Sequence, residues 1–286
     1  MLSLNNDQLD VAILHPVEDR DRLGSRYCVG GYVYQVTDRK LGDLISGPGY
    51  PSEVHPPVFD GQGLPEAFRA PLWVGMESAA PRELPPVGTE MLVMGVGRVH
   101  LTPDIRKMPV DEFAKWEIAE ESGRVTMRTR QEFAGWALEL TRTLTLANRT
   151  LISETRLANV GEKALPYWWF PHPFFPLVVG ESTRFNLPVR VPADSAYEVL
   201  DSGFVGLKAA AGWNRSGHFQ ELSFEPGERL VALQRHPKVG LVAVTFSYTP
   251  SYFPIWGNAN TFSFEPYTEG TIASGDSAKW SVAYDF

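Results

Sequence analysis

Proline and glycine interrupt this 286-residue chain so often that a long helix has little room to form. The 23 prolines and 25 glycines are spread through the whole sequence. Proline removes an amide donor and clashes with the preceding helical turn, and glycine loses the most backbone freedom on ordering. What fits between these breaks is short runs of alternating side chains. Residues 124–130 set Val125, Met127 and Thr129 against arginines and threonines. Residues 140–148 and 151–159 repeat the pattern, as do 228–236, 240–248, 260–265 and 278–286. Alternation with period two is the signature of half-buried strands. Many such runs at close spacing point to an antiparallel sandwich or barrel rather than a βαβ fold. The most helix-like piece is residues 110–121. Residues 47–97 read as a long irregular excursion rich in Gly and Pro, covering one end of the sheets. With no repeat or linker in view, one domain spanning 1–286 is expected.

Composition narrows the function. The chain is 43% hydrophobic and 21% charged, enough for a large core. A net charge of −8 without a dense basic block argues against a nucleic-acid partner. One cysteine, Cys28, allows neither an intrachain disulfide nor a thiolate metal cluster. No leader-like N-terminus and no bilayer-length apolar run is visible, so a cytoplasmic protein without a membrane partner is expected. Met94-Gly95-Val96-Gly97-Arg98 lacks the third glycine and the helix of a dinucleotide fingerprint, and reads as a tight turn entering a strand. The six histidines are scattered without metal-ligand spacing, so no metal site is expected.

Two places carry candidate chemistry. In residues 165–177, Leu-Pro-Tyr-Trp-Trp-Phe-Pro-His-Pro-Phe-Phe-Pro-Leu, His172 lies between two prolines and among six aromatic side chains. The prolines stiffen a non-helical backbone, and the rings offer flat apolar faces that suit a sugar ring. Histidine also exchanges protons near neutrality. The plainer reading is a hydrogen-bonded histidine in an aromatic core. Near the C-terminus, Phe262-Ser263-Phe264-Glu265-Pro266-Tyr267 sets Ser263 and Glu265 on one strand face and the two phenylalanines on the other. Glu265 is then placed to act as a base at a strand end, or is simply a solvated carboxylate.

Asn159-Val160-Gly161 followed by His172-Pro173-Phe174-Phe175, with Phe264-Glu265-Pro266-Tyr267 and the closing turn Ser274-Gly275-Asp276, resembles the aldose 1-epimerase (galactose mutarotase-like) family. The resemblance implies an all-β fold, a large antiparallel β-sandwich often called a supersandwich. It implies interconversion of the α and β anomers of a free or phosphorylated hexose, with no cofactor and a small-molecule sugar as partner. By position, His172 is similar to the family's general acid and Glu265 to its general base. The two are expected on opposite sides of the sugar ring, with Trp168, Trp169 and Phe174 in its floor. The family also carries a second histidine followed by glycine, and an arginine on the ring hydroxyls. His100 is the better candidate for the first, ahead of His55, though neither precedes a glycine. Arg26, Arg69 and Arg98 are candidates for the second, and Glu77 is a further pocket candidate. The alternative is a non-catalytic carbohydrate-binding protein on the same fold. Lyase or hydrolase chemistry on a polysaccharide is a third possibility.

Overall fold

A computed structural model describes residues 1–50, 61–78, 83–105, 108–225 and 227–286. The alternating runs assemble into one sheet of ten strands. Its order is Tyr197–Val199, Phe204–Leu207, Glu181–Phe185, Val231–His236, Gly240–Phe246, Ser277–Asp285, Thr150–Asn159, Trp136–Ala147, Arg124–Phe133 and Glu117–Glu121. All neighbours in it pair antiparallel. In the strand Trp136–Ala147, every second residue from Trp136 to Leu146 is buried, as period-two geometry requires. The fold is an all-β antiparallel sandwich with no α-helix among the described residues. No helix among them is long and apolar enough to cross a membrane.

Residues 110–121 correct the helix-like reading. They form two strands, Val110–Phe113 and Glu117–Glu121. The apolar spacing of Val110, Phe113 and Trp116 imitates a helical face. However, Val110 and Phe113 belong to a hairpin whose partner is the strand Gly97–His100. That strand follows the glycine turn after Glu90–Val93, so Gly95 and Gly97 serve a hairpin. Gly97 has φ of +141°, and a Cβ there would meet the Glu112 carbonyl oxygen at 2.0 Å. The excursion over 47–97 is therefore only partly irregular. It holds the strands Glu66–Phe68 and Glu90–Val93, while 51–60 and 79–82 lie outside the described residues.

Small sheets form the layer that matters for function. Leu165–Pro171 pairs on one edge with Thr268–Ile272 and on the other with Glu66–Phe68. Phe175–Pro176 pairs with Thr261–Phe264, which pairs in turn with Pro254–Gly257. The core lies between these sheets and the ten-stranded one. Trp169 packs against Trp280, and Phe264 against Phe246 and Phe185.

Candidate active site

Strand alternation sorts the aromatic run into two faces. Trp169 points into the core and is 1% exposed. Trp168 and Phe170, one residue to either side, face a cavity of about 720 Å³, and His172 follows on the same face. The backbone beyond the strand end is fixed on both sides. The His172 amide donates to the Pro65 carbonyl (2.8 Å), and the Phe174 amide donates to that of Gly63 (2.9 Å). Pairing of Phe175 with Phe262 then brings the 172 and 263–265 segments side by side. Phe262 and Phe264 go to the core, leaving Ser263 and Glu265 on the face toward His172.

The result is a linear constellation. The Ser263 hydroxyl lies 2.8 Å from His172 Nδ1. His172 Nε2 lies 3.3 Å from Glu265 Oε1. His172 is 2% and Glu265 7% exposed, yet both line the cavity. The Phe174 ring stacks on the imidazole at 4.3 Å, with Tyr27 edge-on at 6.0 Å. The Ser263 hydroxyl donates to Nδ1 of a neutral ring protonated on Nε2, or accepts from Nδ1–H of an imidazolium, and in either form Nε2–H faces the carboxylate.

The 3.3 Å separation corrects one expectation. No sugar ring fits between the two groups, so they do not stand on opposite sides of a substrate. They share one wall of the cavity, because the pairing of 175–176 with 261–262 puts their backbones next to each other.

Burial governs their protonation. It pushes Glu265 up from 4.5 to about 7, against the opposing pull of Arg26 and Arg69. Burial also drives His172 well below its usual 6.5, and the same two arginines add to the effect. Both shifts disfavour the charged forms, as expected for groups removed from water. The contact has ion-pair geometry. In the free pocket it joins a neutral imidazole to a carboxyl group that is half-protonated near neutrality.

The other sequence candidates divide. Arg26, Arg69, Trp168 and Phe174 line the cavity with the pair. Trp169 does not, and the expectation that it forms the floor is corrected by the strand period. Glu77 is also elsewhere: it is exposed, in the short 3-10 turn Met76–Ser78, with its carboxylate 2.8 Å from Lys163 Nζ. Arg98 and His100 point to solvent from the hairpin strand Gly97–His100, outside the cavity. Arg98 lies 3.4 Å from Glu90, and His100 Nδ1 lies 2.7 Å from Asp111. Inward positions on that strand belong to Gly97 and Val99, so the arginine and histidine are forced outward. His55 lies outside the described residues.

The cavity also contains residues that sequence reasoning passed over. Arg215, Tyr252, Trp256 and Tyr267 line it, and Ser263 supports His172 from behind. Tyr267 had a legible signal, since it follows the Glu265-Pro266 pair directly. Its ring stacks on Phe170 at 4.3 Å. Among the described residues, no three His, Cys, Asp or Glu side chains gather as a metal-ligand set.

No protein-family model and no curated protein sequence matches the chain. Solved structures do. A galactose mutarotase related enzyme from Lactobacillus acidophilus is 13% identical with a TM-score of 0.58, covering 99% of this chain and 96% of that one. A galactose mutarotase-like protein from Lactobacillus casei is 11% identical with a TM-score of 0.55, covering 100% and 99%. An aldose epimerase homologue from C. elegans is 12% identical with a TM-score of 0.54, covering 99% and 97%. Coverage is nearly complete in both directions at identities this low, so the likeness is one of architecture: the chain has the galactose mutarotase-like fold.

Proposed function

We propose that this chain is an aldose 1-epimerase-like isomerase that opens and recloses the ring of an aldose through His172 and Glu265. The observation that carries the reading is a buried imidazole–carboxyl pair, 3.3 Å apart, on the wall of a sugar-sized cavity. Opening a hemiacetal removes a proton from the O1 hydroxyl and supplies one to the ring oxygen. Both oxygens are bonded to the same carbon, so the groups that serve them belong side by side. The proton held by Glu265 passes to His172, the Glu265 carboxylate so formed takes the O1 proton, and the imidazolium gives its Nε2 proton to the ring oxygen. The C1–O5 bond breaks as the C1 carbonyl forms. Rotation about C1–C2 exposes the other carbonyl face, and reclosure with the proton transfers reversed gives the other anomer.

Burial suits both roles. Raising the pKa of a carboxylate makes it a stronger base, and lowering that of an imidazolium makes it a stronger acid. Each positioned proton transfer is worth about 10²–10⁴-fold. Trp168, Phe170 and Tyr267 offer the apolar faces, and Arg26 and Arg69 the donors to sugar oxygens. The test is two-dimensional exchange NMR on a panel of aldoses. The wild type should speed anomer exchange of at least one sugar, and Glu265→Gln should remove that effect. Equal exchange with and without protein for every sugar would reject the isomerase.

A second reading is binding without turnover. It is favoured by His172 being the one histidine among the described cavity-lining residues. Saturable sugar binding with an unchanged exchange rate would select it.

A further inference from the structure

Strand patterning leaves a single aromatic ring of this molecule in the solvent. Among the described residues, Phe219 is the one Phe, Tyr or Trp side chain that is exposed, at 57%. It also lines the cavity that holds His172 and Glu265. An exposed apolar side chain is unremarkable by itself. What singles out Phe219 is its place in the sheet.

Phe219 belongs to the edge strand His218–Glu221, whose neighbour is the strand Pro254–Gly257. Alternation exposes Phe219 and Glu221 and leaves His218 and Gln220 half-buried. Register then sets Phe219 opposite Trp256, and Trp256 opposite Ser263, whose hydroxyl meets His172. Residues directly opposite in adjacent strands share one face of a sheet. Phe219, Trp256 and Ser263 therefore form a row on the face toward the cavity. The Trp256 ring lies 6.3 Å from both the His172 and the Phe174 ring. Neighbouring strands stand about 4.8 Å apart, so the row carries the Phe219 backbone roughly 10 Å from that of Ser263. That is the span of a pair of linked pyranose rings.

The row runs from a closed end to an open one. His172 and Glu265 are buried, whereas Arg215, Ser216 and Phe219 line the cavity as exposed side chains at its mouth. A sugar whose anomeric carbon reaches the buried pair points its far side toward that mouth. The Phe219 ring matches the apolar C–H face of a second pyranose there, and Ser216 and Arg215 supply donors to its hydroxyls. One ring among such polar neighbours is too small a patch for a protein partner.

We infer that the substrate is a reducing disaccharide or longer glycan, with its free-anomer unit against His172 and Glu265 and the adjoining unit stacked on Phe219. The second unit is joined away from C1 of the first, because ring opening needs a free O1 hydroxyl. The inference rests on the proposed function for which end reacts.

The experiment measures anomer exchange by NMR for maltose, cellobiose and lactose, all with glucose at the reducing end, against glucose itself. At least one disaccharide is expected to exceed glucose by about three- to tenfold in kcat/KM, the scale of one aromatic contact. Phe219→Ala should bring that ratio close to one, and Phe219→Trp should hold or raise it. Both variants change an exposed side chain and should fold. A ratio of one or less for every disaccharide overturns the inference, as does a raised ratio that Phe219→Ala leaves untouched. Calorimetric titration with the same sugars runs in parallel. Disaccharides that bind more tightly than glucose, weaken in Phe219→Ala and are not turned over keep the second subsite and reject the isomerase. Exchange of glucose alone does the reverse. Disaccharides that neither bind nor exchange overturn the inference as well.

Discussion

Glu66 and Glu265 are both buried carboxylates in the smaller layer of the sandwich, and their surroundings differ in every respect that matters. Glu66 lies inside the core. Its Oε1 accepts from the Ser153 hydroxyl at 2.6 Å, and its Oε2 lies 2.5 Å from Arg142 Nη1. The second contact is electrostatic, since it does not meet hydrogen-bond geometry. Arg142, 1% exposed, also donates to Ser153 at 2.8 Å and contacts Thr155. A guanidinium and a carboxylate therefore meet with hydrogen bonds around them, and neither lines the cavity. Glu265 instead faces a cavity and meets a histidine, a partner that burial itself discharges. A permanently charged partner freezes a carboxylate, whereas a titratable one leaves it with a proton to move. The first pair braces the strand Glu66–Phe68, which pairs with the strand Leu165–Pro171 just before His172. Under the proposed function, the second pair moves protons on the platform so held.

The largest effect that would break this contrast is on stability. Arg142→Met should cost about 3–5 kcal/mol, because it leaves the Glu66 charge buried without its partner. Urea unfolding checks this, and the double change Glu66→Met with Arg142→Met should recover most of the loss. A single-variant loss below about 1 kcal/mol would remove Glu66 and Arg142 from any bracing role.

Glu265→Gln should behave oppositely. Anomer exchange should fall by about 10²–10⁴-fold. Stability should rise at pH 8. Glu265 sits at about 7 in the folded chain against 4.5 ordinarily, so the fold holds its proton more tightly than the unfolded chain does. Its contribution to stability is full below about 4.5 and is lost as pH rises through about 7. Removing the ionisable group should therefore add about 3 kcal/mol at pH 8, and only about 1 kcal/mol at pH 5. His172, held below 6.5, runs the other way, since its contribution is present above 6.5 and fades in more acid solution. Unfolding curves of wild type and variant across pH 5–8 that stay parallel would sink this account.

The proposed proton transfers need one proton held between the two groups, and burial lets Glu265 keep one up to about 7. The free-enzyme rate, kcat/KM, should fall as pH rises through about 7 and that proton is lost. A profile flat from pH 6 to 9 would contradict a shared proton.

Ser263→Ala should show the smallest change, about tenfold in kcat, the scale of one hydrogen bond. Ser263 positions His172 and does not line the cavity. KM should stay near its wild-type value, and Ser263→Thr should restore most of the rate. Loss confined to KM would mean that Ser263 touches substrate instead.

How much of the site was legible follows from what is local. Period two in residues 260–265 reads Ser263 and Glu265 onto one face directly, because alternation is fixed by strand geometry. The same rule, applied to 165–171, separates Trp168 from Trp169. Reading both as floor residues ignored that neighbours on a strand face opposite ways. Arg98 and His100 drew attention through sequence position alone, and nothing local reveals that their hairpin turns both to solvent. Arg215 lies in a loop with no pattern around it. Its place at the mouth comes from the loop's anchoring by Asn258, whose Nδ2 donates to the Arg215 carbonyl.

The all-β architecture and the two segments that carry the proton-transfer candidates are legible in the chain alone. Both are written in short-range features, namely Pro and Gly spacing, alternation, and a histidine held between prolines. That His172 and Glu265 touch on one wall, that Arg142 is committed to Glu66, and that three arginines share a cavity emerges with the folded arrangement. These depend on strand pairings between distant segments, such as Phe175 with Phe262 and Pro171 with Glu66. Register across such pairs is set by burial of the whole layer, a sum over many residues that no single stretch of chain displays.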